Sequence, residues 1–257
     1  MQIHDTEISE ITRYIENQKD ISLEVKEEQY RQMLRYVEKF KKIDAGTKIL
    51  EIGTGTGWFP ILCMTKGLQC KGLEISPQLI EYARQEGAKF GVVPDIELGN
   101  LEESDLGASQ YDVVMCSSVF EHVEHWRKGL EKVFRALRPG GILFFESTNK
   151  FSLVSAEYDF PLYGWLPDSW RYRLRIARQG PDVMKLGIDF NQFTYFNLRR
   201  VFKELGFSGI YDRVQVVDES WVQKPLRRKV LVACKHFSPL RHMVLLFFEG
   251  TTFVCVK

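Results

Sequence analysis

The fold of this 257-residue chain can be inferred from one short segment, Lys48-Ile49-Leu50-Glu51-Ile52-Gly53-Thr54-Gly55-Thr56-Gly57. Its first half is an apolar run typical of a short buried strand. Its second half alternates glycine with threonine, and glycine permits positive φ and lets a ligand lie against bare backbone. A helix predicted from about residue 59 would direct its free N–H groups at this turn. The stretch therefore predicts a strand, a ligand-binding turn and a helix.

The spacing of the glycines separates the common kinds of nucleotide-binding turn. A dinucleotide-binding GxGxxG turn needs a third glycine at position 58, where this chain has Trp58. A phosphate-binding loop needs GK followed by Ser or Thr, and the turn has no such triplet. A nicotinamide-dependent dehydrogenase is therefore disfavoured, and the pattern that needs an explanation is E-x-G-x-G-x-G.

Outward from this turn, strand and helix patterns alternate along the chain. Strands are predicted at residues 48–52, 70–75, 95–98, 111–116, 142–146, 210–217 and 252–256. Helices are predicted within residues 7–42 and at residues 59–66, 76–87, 119–137 and 197–205. This alternation favours an α/β fold, in which helices cover both faces of a mostly parallel sheet.

The length of the chain favours a single domain with elaborations. We divide residues 1–257 into N-terminal helices at 1–45, a cofactor-binding core at 46–150, an insertion at 151–190 and the rest of the sheet at 191–257. The insertion is rich in aromatic residues and is expected to cover one end of the sheet as a lid. A second elaboration is expected within the C-terminal part, at about residues 218–250.

The composition bears on partners and location. A net charge of +1 gives no whole-chain reason to expect nucleic acid. The charge is uneven, because residues 1–150 carry a net −5 and residues 151–257 a net +6. Residues 1–20 lack the apolar segment of a signal peptide, and the five cysteines form no CxxC pair. We expect a cytoplasmic protein with reduced thiols.

Five segments together resemble the class I S-adenosylmethionine-dependent methyltransferases. Residues 51–57 look like the first motif of that family, and Glu74 ends the next strand 23 residues after Glu51. The other three segments are Gly99-Asn100-Leu101, residues 111–114 followed by Glu121-His122-Val123, and residues 137–141. The likeness covers residues 45–150 well and extends to residues 193–196 and 205–207. Within the family, the chain is most similar to the ubiquinone-biosynthesis and small-molecule methyltransferase group.

This resemblance implies a Rossmann-like sheet with the strand order 3-2-1-4-5-7-6, in which strand 7 is antiparallel. It implies S-adenosyl-L-methionine as the cofactor and S-adenosyl-L-homocysteine as its product, bound beyond the carboxyl ends of the strands. In the family, the residue at Glu74 accepts hydrogen bonds from both ribose hydroxyls. The residue at Asn100, more often Asp in the family, meets the adenine amino group. The cofactor-binding residues carried over are Glu51, Gly53, Thr54, Gly55, Gly57, Glu74, Ile75, Asn100, Leu101 and Ser117.

His122 is the candidate catalytic base. It follows the fourth strand near a predicted helix N-terminus, whose dipole disfavours the imidazolium and keeps a neutral base available. The alternative is that His122 only hydrogen-bonds a neighbouring loop, and His125 is expected at the surface. Quinone-precursor O-methyltransferases of this group have Glu-x-x-Glu-His here, a segment linked to a divalent metal. Ser118 takes the place of the first carboxylate, so we expect no metal.

The acceptor is expected to enter beneath the insertion, where aromatic side chains favour an apolar or ring-shaped molecule. Four arginines are candidates for binding an acidic acceptor or anionic headgroups: Arg171, Arg173, Arg175 and Arg178. Residues 227–229 and the apolar run at 243–248 either lie at a membrane surface or belong to lid helices packed on the core. We expect methyl transfer to a small or lipid-like acceptor, at oxygen. The alternative is a cofactor-binding regulatory or scaffold protein without turnover.

Overall fold

The computed structural model describes residues 9–154, 160–181 and 191–257. The first half of the described chain contains α1 (Ser9–Lys19), α2 (Leu23–Glu38), β1 (Lys48–Ile52), α3 (Trp58–Thr65), β2 (Gln69–Glu74), α4 (Pro77–Lys89), β3 (Asp95–Leu98), β4 (Tyr111–Ser117) and α5 (Trp126–Ala136). The second half contains β5 (Leu137–Thr148), α6 (Asp168–Gln179), α7 (Tyr195–Leu205), β6 (Gly209–Asp212), α8 (Arg213–Val216), α9 (Pro225–His236), α10 (Ser238–Phe247) and β7 (Gly250–Val256). Short 3₁₀ turns lie at Phe120–His122, Tyr163–Trp165 and Glu219–Trp221. Among these described helices, none is long and apolar enough to cross a membrane.

One sheet of seven strands organises the described residues, in the order β3-β2-β1-β4-β5-β7-β6. Strands β1 to β5 run parallel, and β7 is antiparallel to both of its neighbours, β5 and β6. The strand order and the antiparallel strand expected from the sequence are confirmed. In register, Ile52 lies between Leu73 and Cys116. The carboxyl ends of β1, β2 and β4 therefore meet at one edge of the sheet, where the direction of winding changes.

Two apolar layers cover the sheet, one on each face. Strand β4 shows the division, because Val114 and Cys116 belong to one layer while Val113 and Met115 belong to the other. Helices α5, α7, α9 and α10 contribute to the first layer, and α2 and α3 contribute to the second. Strands that are buried on both faces are continuous apolar runs in the sequence, which is why their pattern predicts them well.

The helix predicted over residues 119–137 is wrong at its start. Helix α5 begins only at Trp126, and the residues before it form a 3₁₀ turn. Asn191 explains the delay, because its Nδ2 donates hydrogen bonds to the carbonyl oxygens of Phe120 (3.0 Å) and Val123 (2.6 Å). These side-chain bonds replace the backbone bonds that a continuous α-helix would make at the same carbonyls.

The strand predicted over residues 210–217 is too long. Strand β6 ends at Asp212, and α8 begins directly after it. A capping box ends the strand: the Asp212 side chain accepts the N–H of Gln215 (3.1 Å), and the Gln215 side chain accepts the N–H of Asp212 (3.1 Å). The valines of this helical turn are still buried, so their alternation in the sequence imitates a strand.

The insertion predicted at residues 151–190 is described in part, since residues 155–159 and 182–190 lie outside the described residues. Its Trp165 ring stacks on Phe247 of α10, with the ring centroids 6.4 Å apart. The insertion therefore contacts the second elaboration, which consists of α9 and α10 between β6 and β7.

Helix α6 carries the four arginines that the sequence offers for an acidic acceptor. Arg171 is 1% exposed and forms a 2.8 Å ion pair with Asp168, one turn earlier in the same helix. Arg175 is also buried. Of these four arginines, Arg173 and Arg178 are exposed, so they are the members of the set that a ligand can reach from solvent.

Asp212 ties the C-terminal helices to the sheet from a fully buried position. It accepts a hydrogen bond from the Tyr195 hydroxyl (2.9 Å) and lies 3.6 Å from Nε of Arg241. We expect Asp212→Ala to lower the free energy of unfolding by about 3–5 kcal/mol, because the change leaves Arg241 without its counter-ion. Urea unfolding followed by circular dichroism measures this loss.

Tyr195→Phe is the matched control for this prediction. It removes one hydrogen bond from Asp212 and leaves the contact with Arg241 in place, so it should cost about 1 kcal/mol. Equal losses in the two variants would contradict the role assigned to the ion pair.

Candidate functional site

The glycine turn after β1 has the conformation that its sequence predicts. Gly53, Gly55 and Gly57 have positive φ values of 68°, 55° and 74°, in a region that residues with a Cβ rarely enter. Gly57 immediately precedes α3, whose first N–H groups have no partner within the helix. The turn is therefore lined by backbone and by the positive end of a helix.

The surroundings of the turn also require glycine. A Cβ built on Gly53 would lie 2.5 Å from Cγ2 of Val119, and one built on Gly57 would lie 2.5 Å from the Cβ of Ala83. The turn is thus held between α4 on one side and the loop after β4 on the other.

Glu74 closes the turn from the neighbouring strand. Its Oε2 accepts the N–H of Gly55 (2.8 Å), and its Oε1 accepts the N–H groups of Ile75 (2.9 Å) and Ser76 (3.0 Å). Burial raises the pKa of Glu74, and the three backbone donors oppose that rise. The carboxylate, on a residue only 5% exposed, therefore points at the glycine turn from the carboxyl end of β2.

Glu51 places a second buried carboxyl group near the first. Its Oε2 has no hydrogen-bond partner among the described residues. Burial, followed by the nearby Cys63 and Glu74, holds the pKa of Glu51 well above its usual range. Within the described part of the chain, the buried hydroxyl of Thr54 also lacks a partner. Buried polar atoms are nearly always hydrogen-bonded in native proteins, so these two fit a site for a polar ligand.

Tyr14 joins the site from α1, and no motif in the sequence indicates it. A Cβ built on Gly55 would lie 3.0 Å from the Tyr14 hydroxyl oxygen. The pKa of Tyr14 is raised to about 12, because burial and the carboxylates of Glu74 and Glu51 disfavour the phenolate. The phenol therefore keeps its proton near neutral pH and can donate a hydrogen bond above the turn.

Helix α1 brings Tyr14 to the turn by packing on α4. Ile11 and Ile15, whose spacing predicts an apolar helix face, are buried in a cluster with Leu79 and Tyr82. This apolar face is the signal in the sequence that bears on Tyr14. The spacing alone does not show that α4 is the element on which the face packs.

Asn100 lies beside Glu74 at the edge of the sheet. The N–H of Gly99 donates to the carbonyl oxygen of Glu74 (2.9 Å), which brings the loop after β3 next to β2. Oδ1 of Asn100 accepts the N–H of Glu102 (3.0 Å). Leu101 packs its side chain into the core, so its contribution to a ligand site would come from its backbone.

The loop after β4 forms the other side of the site. Ser117 ends β4 opposite Glu146 of β5. Ser118 has a φ of 54°, which is uncommon for a residue with a side chain. This bend carries Val119 against Gly53. The ends of β1, β2 and β4 thus bring the carried-over residues together at one edge of the sheet, while their roles in binding stay predictions.

His122 follows in the 3₁₀ turn and is half-buried. The sequence places His122 near the N-terminus of a helix that starts at about residue 119, whereas α5 begins only at Trp126, with His125 as its preceding residue. His125 is exposed, and its backbone N–H donates to Oε1 of Glu102 (2.6 Å). The catalytic role of His122 stays a prediction that no longer has the support of a helix dipole.

A charged cluster that the motifs do not single out lies at the same edge of the sheet. Burial raises the pKa of Glu146, and the guanidinium of Arg213 opposes that rise. Burial also raises the pKa of the Tyr36 phenol, and Arg213 opposes that rise. The cluster brings together α2, β5 and α8 near the end of β4.

Glu121 holds the loop after β4 against β5. It is the second carboxylate of the segment that was compared above with a metal-linked motif. It is 1% exposed, and its Oε2 accepts a 2.6 Å hydrogen bond from the Ser147 hydroxyl. Over the described ranges, no group of three or more His, Cys, Asp or Glu residues is arranged to hold a metal ion.

With this geometry in view, comparison with known families identifies the class. Residues 25–211 match the model of a methyltransferase domain. This span includes the glycine turn, Glu74 and most of the sheet. The chain therefore belongs to the methyltransferase domain family.

Two curated relatives are named ubiquinone biosynthesis O-methyltransferase. The chain is 32% identical to that of Erwinia tasmaniensis over 120 residues, which make up 44% of this chain. It is 25% identical to that of Marinobacter nauticus over 182 residues, 66% of this chain and 76% of the Marinobacter protein. The chain spans only about half the Erwinia protein's length, 49%.

A solved structure shows the same fold. It is phosphoethanolamine N-methyltransferase 2 of Haemonchus contortus, in complex with phosphomonomethylethanolamine and S-adenosylhomocysteine. The two chains superpose with a TM-score of 0.58 at 16% identity, over 88% of this chain and 52% of that chain. At this identity the likeness concerns the fold.

The packing of the glycine turn gives a stability prediction. Gly57→Ala should lower the free energy of unfolding by about 3 kcal/mol, because positive φ disfavours a Cβ and the new methyl would overlap Ala83. Thermal and urea unfolding measure the change.

Gly67→Ala is the matched control. Gly67 has a φ of 73°, close to that of Gly57, but a Cβ there would meet nothing within 4 Å. It should carry only the conformational cost, about 1 kcal/mol. If Gly57→Ala were no more costly than Gly67→Ala, the close contact between the turn and α4 would be refuted.

Proposed function

We propose that this protein is an S-adenosylmethionine-dependent methyltransferase that acts on a small or lipid-like acceptor, at oxygen. The observation that carries the proposal is the buried carboxylate of Glu74 bound to the bare backbone of Gly55. A carboxylate in this position can accept charge-assisted hydrogen bonds from a ribose diol. Membership of the methyltransferase domain family indicates that the ribose belongs to an adenosyl sulfonium compound.

The residues around the turn fit such a cofactor. The polar atoms of Glu51 and Thr54 that lack partners among the described residues match its charged amino-acid portion. Glu74 would hold the ribose, and Asn100 would meet the adenine. The backbone of Gly53, Gly55 and Gly57, with Ile75, Leu101 and Ser117, would complete the cradle. When bound, the cofactor supplies a methyl group that is already activated on sulfur.

The chain must also bind the acceptor and remove one proton from it. Positioning supplies much of the acceleration when the group to be transferred is already activated. We assign the acceptor to the crevice beyond Ser117, beneath the insertion. There His122 takes the proton of the acceptor hydroxyl, while the oxygen gains the methyl group.

The choice of acceptor rests on the names of the relatives and on the aromatic insertion. The curated relatives from Erwinia and Marinobacter are both O-methyltransferases by name, which supports oxygen as the methylated atom. Phe151 and Trp165, whose ring centroids are 5.3 Å apart, lie in the insertion above the sheet. We also place the protein in the cytoplasm, with no nucleic-acid partner.

Glu74→Ala tests the proposed cofactor site. It should weaken the binding of S-adenosylhomocysteine by at least a factor of roughly one hundred, because two charge-assisted hydrogen bonds of about 1.5–3 kcal/mol each are lost. Titration calorimetry on the purified chain measures the affinity, and circular dichroism reports whether the variant is folded.

Glu97→Ala is the matched control, with the same change of charge on the neighbouring strand. Glu97 is exposed and pairs with Lys71 at 2.7 Å, so its loss should leave the affinity for S-adenosylhomocysteine unchanged. The absence of binding heat for the unaltered protein, with both S-adenosylmethionine and S-adenosylhomocysteine, would overturn the proposal.

His122→Gln tests the proposed base. Release of S-adenosylhomocysteine from a panel of phenols, catechols and lipid quinols should fall by roughly 10²–10⁴-fold. His125→Gln changes an exposed histidine nearby and should keep the rate. Cofactor binding without turnover across the panel would favour the regulatory or scaffold alternative.

A further inference from the structure

Helix α9 exposes a continuous apolar stripe. Leu226, Val230, Ala233 and Phe237 follow one another at spacings of four, three and four residues, which places them on one side of the helix. Leu226 is 75% exposed, Val230 42% and Phe237 60%. A row of this kind normally faces a core, whereas this one faces outward.

Helix α10 shows the same arrangement on a smaller scale. Met243 is 55% exposed, and Phe247, four residues later, is 40% exposed although its ring stacks on Trp165. The inner faces of both helices are already packed, because Cys234 of α9 and Val244 and Leu245 of α10 belong to the first apolar layer of the sheet. The outward apolar side chains are therefore not needed to close the core.

The same two helices are strongly basic. Residues 222–248 contain six Lys or Arg and no Asp or Glu, in a chain whose net charge is +1. Arg241 pairs with Asp212, and Lys235 lies 3.9 Å from Glu219. The other four are exposed and form no ion pair with a described residue: Lys224, Arg227, Arg228 and Lys229.

An open groove of about 470 Å³ runs beside α9. It is lined by Gln223, Pro225, Arg228, Lys229, Val232 and Ala233. The two cations and the apolar residues of this lining match the phosphate and the first methylenes of an anionic lipid. The groove therefore adds a place for a headgroup to a surface that is already apolar and basic.

We propose that α9 and α10 bind the surface of an anionic lipid bilayer. A helix with an apolar stripe between basic residues lies in the plane of a bilayer, with the stripe buried among the headgroups and the cations near the phosphates. The exposed apolar stripe suits a fluid lipid layer, and the cations that form no ion pair with a described residue favour a negatively charged partner. This binding does not depend on the proposed methyl transfer, so it can fail or succeed separately.

Sedimentation with vesicles tests the proposal on the full chain, without cofactor or acceptor. The protein should pellet with vesicles of phosphatidylcholine mixed with phosphatidylglycerol and stay in the supernatant with phosphatidylcholine alone. Added salt should weaken the binding, because it screens exposed charges.

Two sets of variants separate the basic and the apolar contributions. The triple change Arg227→Gln, Arg228→Gln and Lys229→Gln should weaken binding to the anionic vesicles by roughly one hundredfold, about fivefold per cation. The double change Leu226→Ser and Val230→Ser keeps every charge and should weaken binding by roughly tenfold. All five side chains are exposed, so the fold should be retained, and circular dichroism checks that it is.

A control triple removes the same charge elsewhere. Lys48, Arg84 and Lys128 are exposed and lie on β1, α4 and α5, and their change to Gln should leave vesicle binding nearly intact. Equal losses in the two triples would overturn the proposal, as would wild-type binding by the Leu226→Ser and Val230→Ser variant. It would also be overturned if the unaltered protein ignored anionic vesicles. A dimer in light scattering that this double variant abolishes, without any vesicle binding, would assign the surface to a second copy of the chain instead.

Discussion

The hydrogen bond between the Glu74 carboxylate and the N–H of Gly55 couples the end of β2 to the turn after β1. The other oxygen of Glu74 accepts the N–H of Ser76, whose own side chain caps α4 through the N–H of Leu79. Helix α1 packs on α4, so the position of Tyr14 above the turn depends on the same carboxylate. One buried side chain therefore organises a strand, a turn and two helices around a single crevice.

Much of the fold was predictable because its signals are local or belong to a family. The glycine spacing of residues 53–57 requires positive φ, and Ser76 followed by Pro77 is a helix start that the structure confirms. The order of the strands follows from the resemblance, since periodicity carries no information about which strands are neighbours. The predictions fail where a distant residue decides the local structure. Asn191 holds the carbonyls before α5 from far along the chain, and no pattern near residue 120 reveals it.

The site is harder to predict than the fold for the same reason. The motifs locate Glu51 and Glu74, but they do not show that Glu51 is left with an unpaired oxygen among the described residues or that Tyr14 lies close by. The cluster of Glu146, Arg213 and Tyr36 joins three elements that are far apart in sequence. The sequence shows that the second half of the chain carries the excess of positive charge. The structure shows that part of this excess lies on the surface of α9 and α10.

The position of Tyr14 restricts how a ligand can lie against the glycine turn. Its hydroxyl occupies the space directly over Gly55, where a ligand lying against the turn must also be. A ligand that lies against the turn must therefore displace the phenol or accept its hydrogen bond. Ile11 and Ile15 hold the phenol in this position, because they anchor α1 against α4.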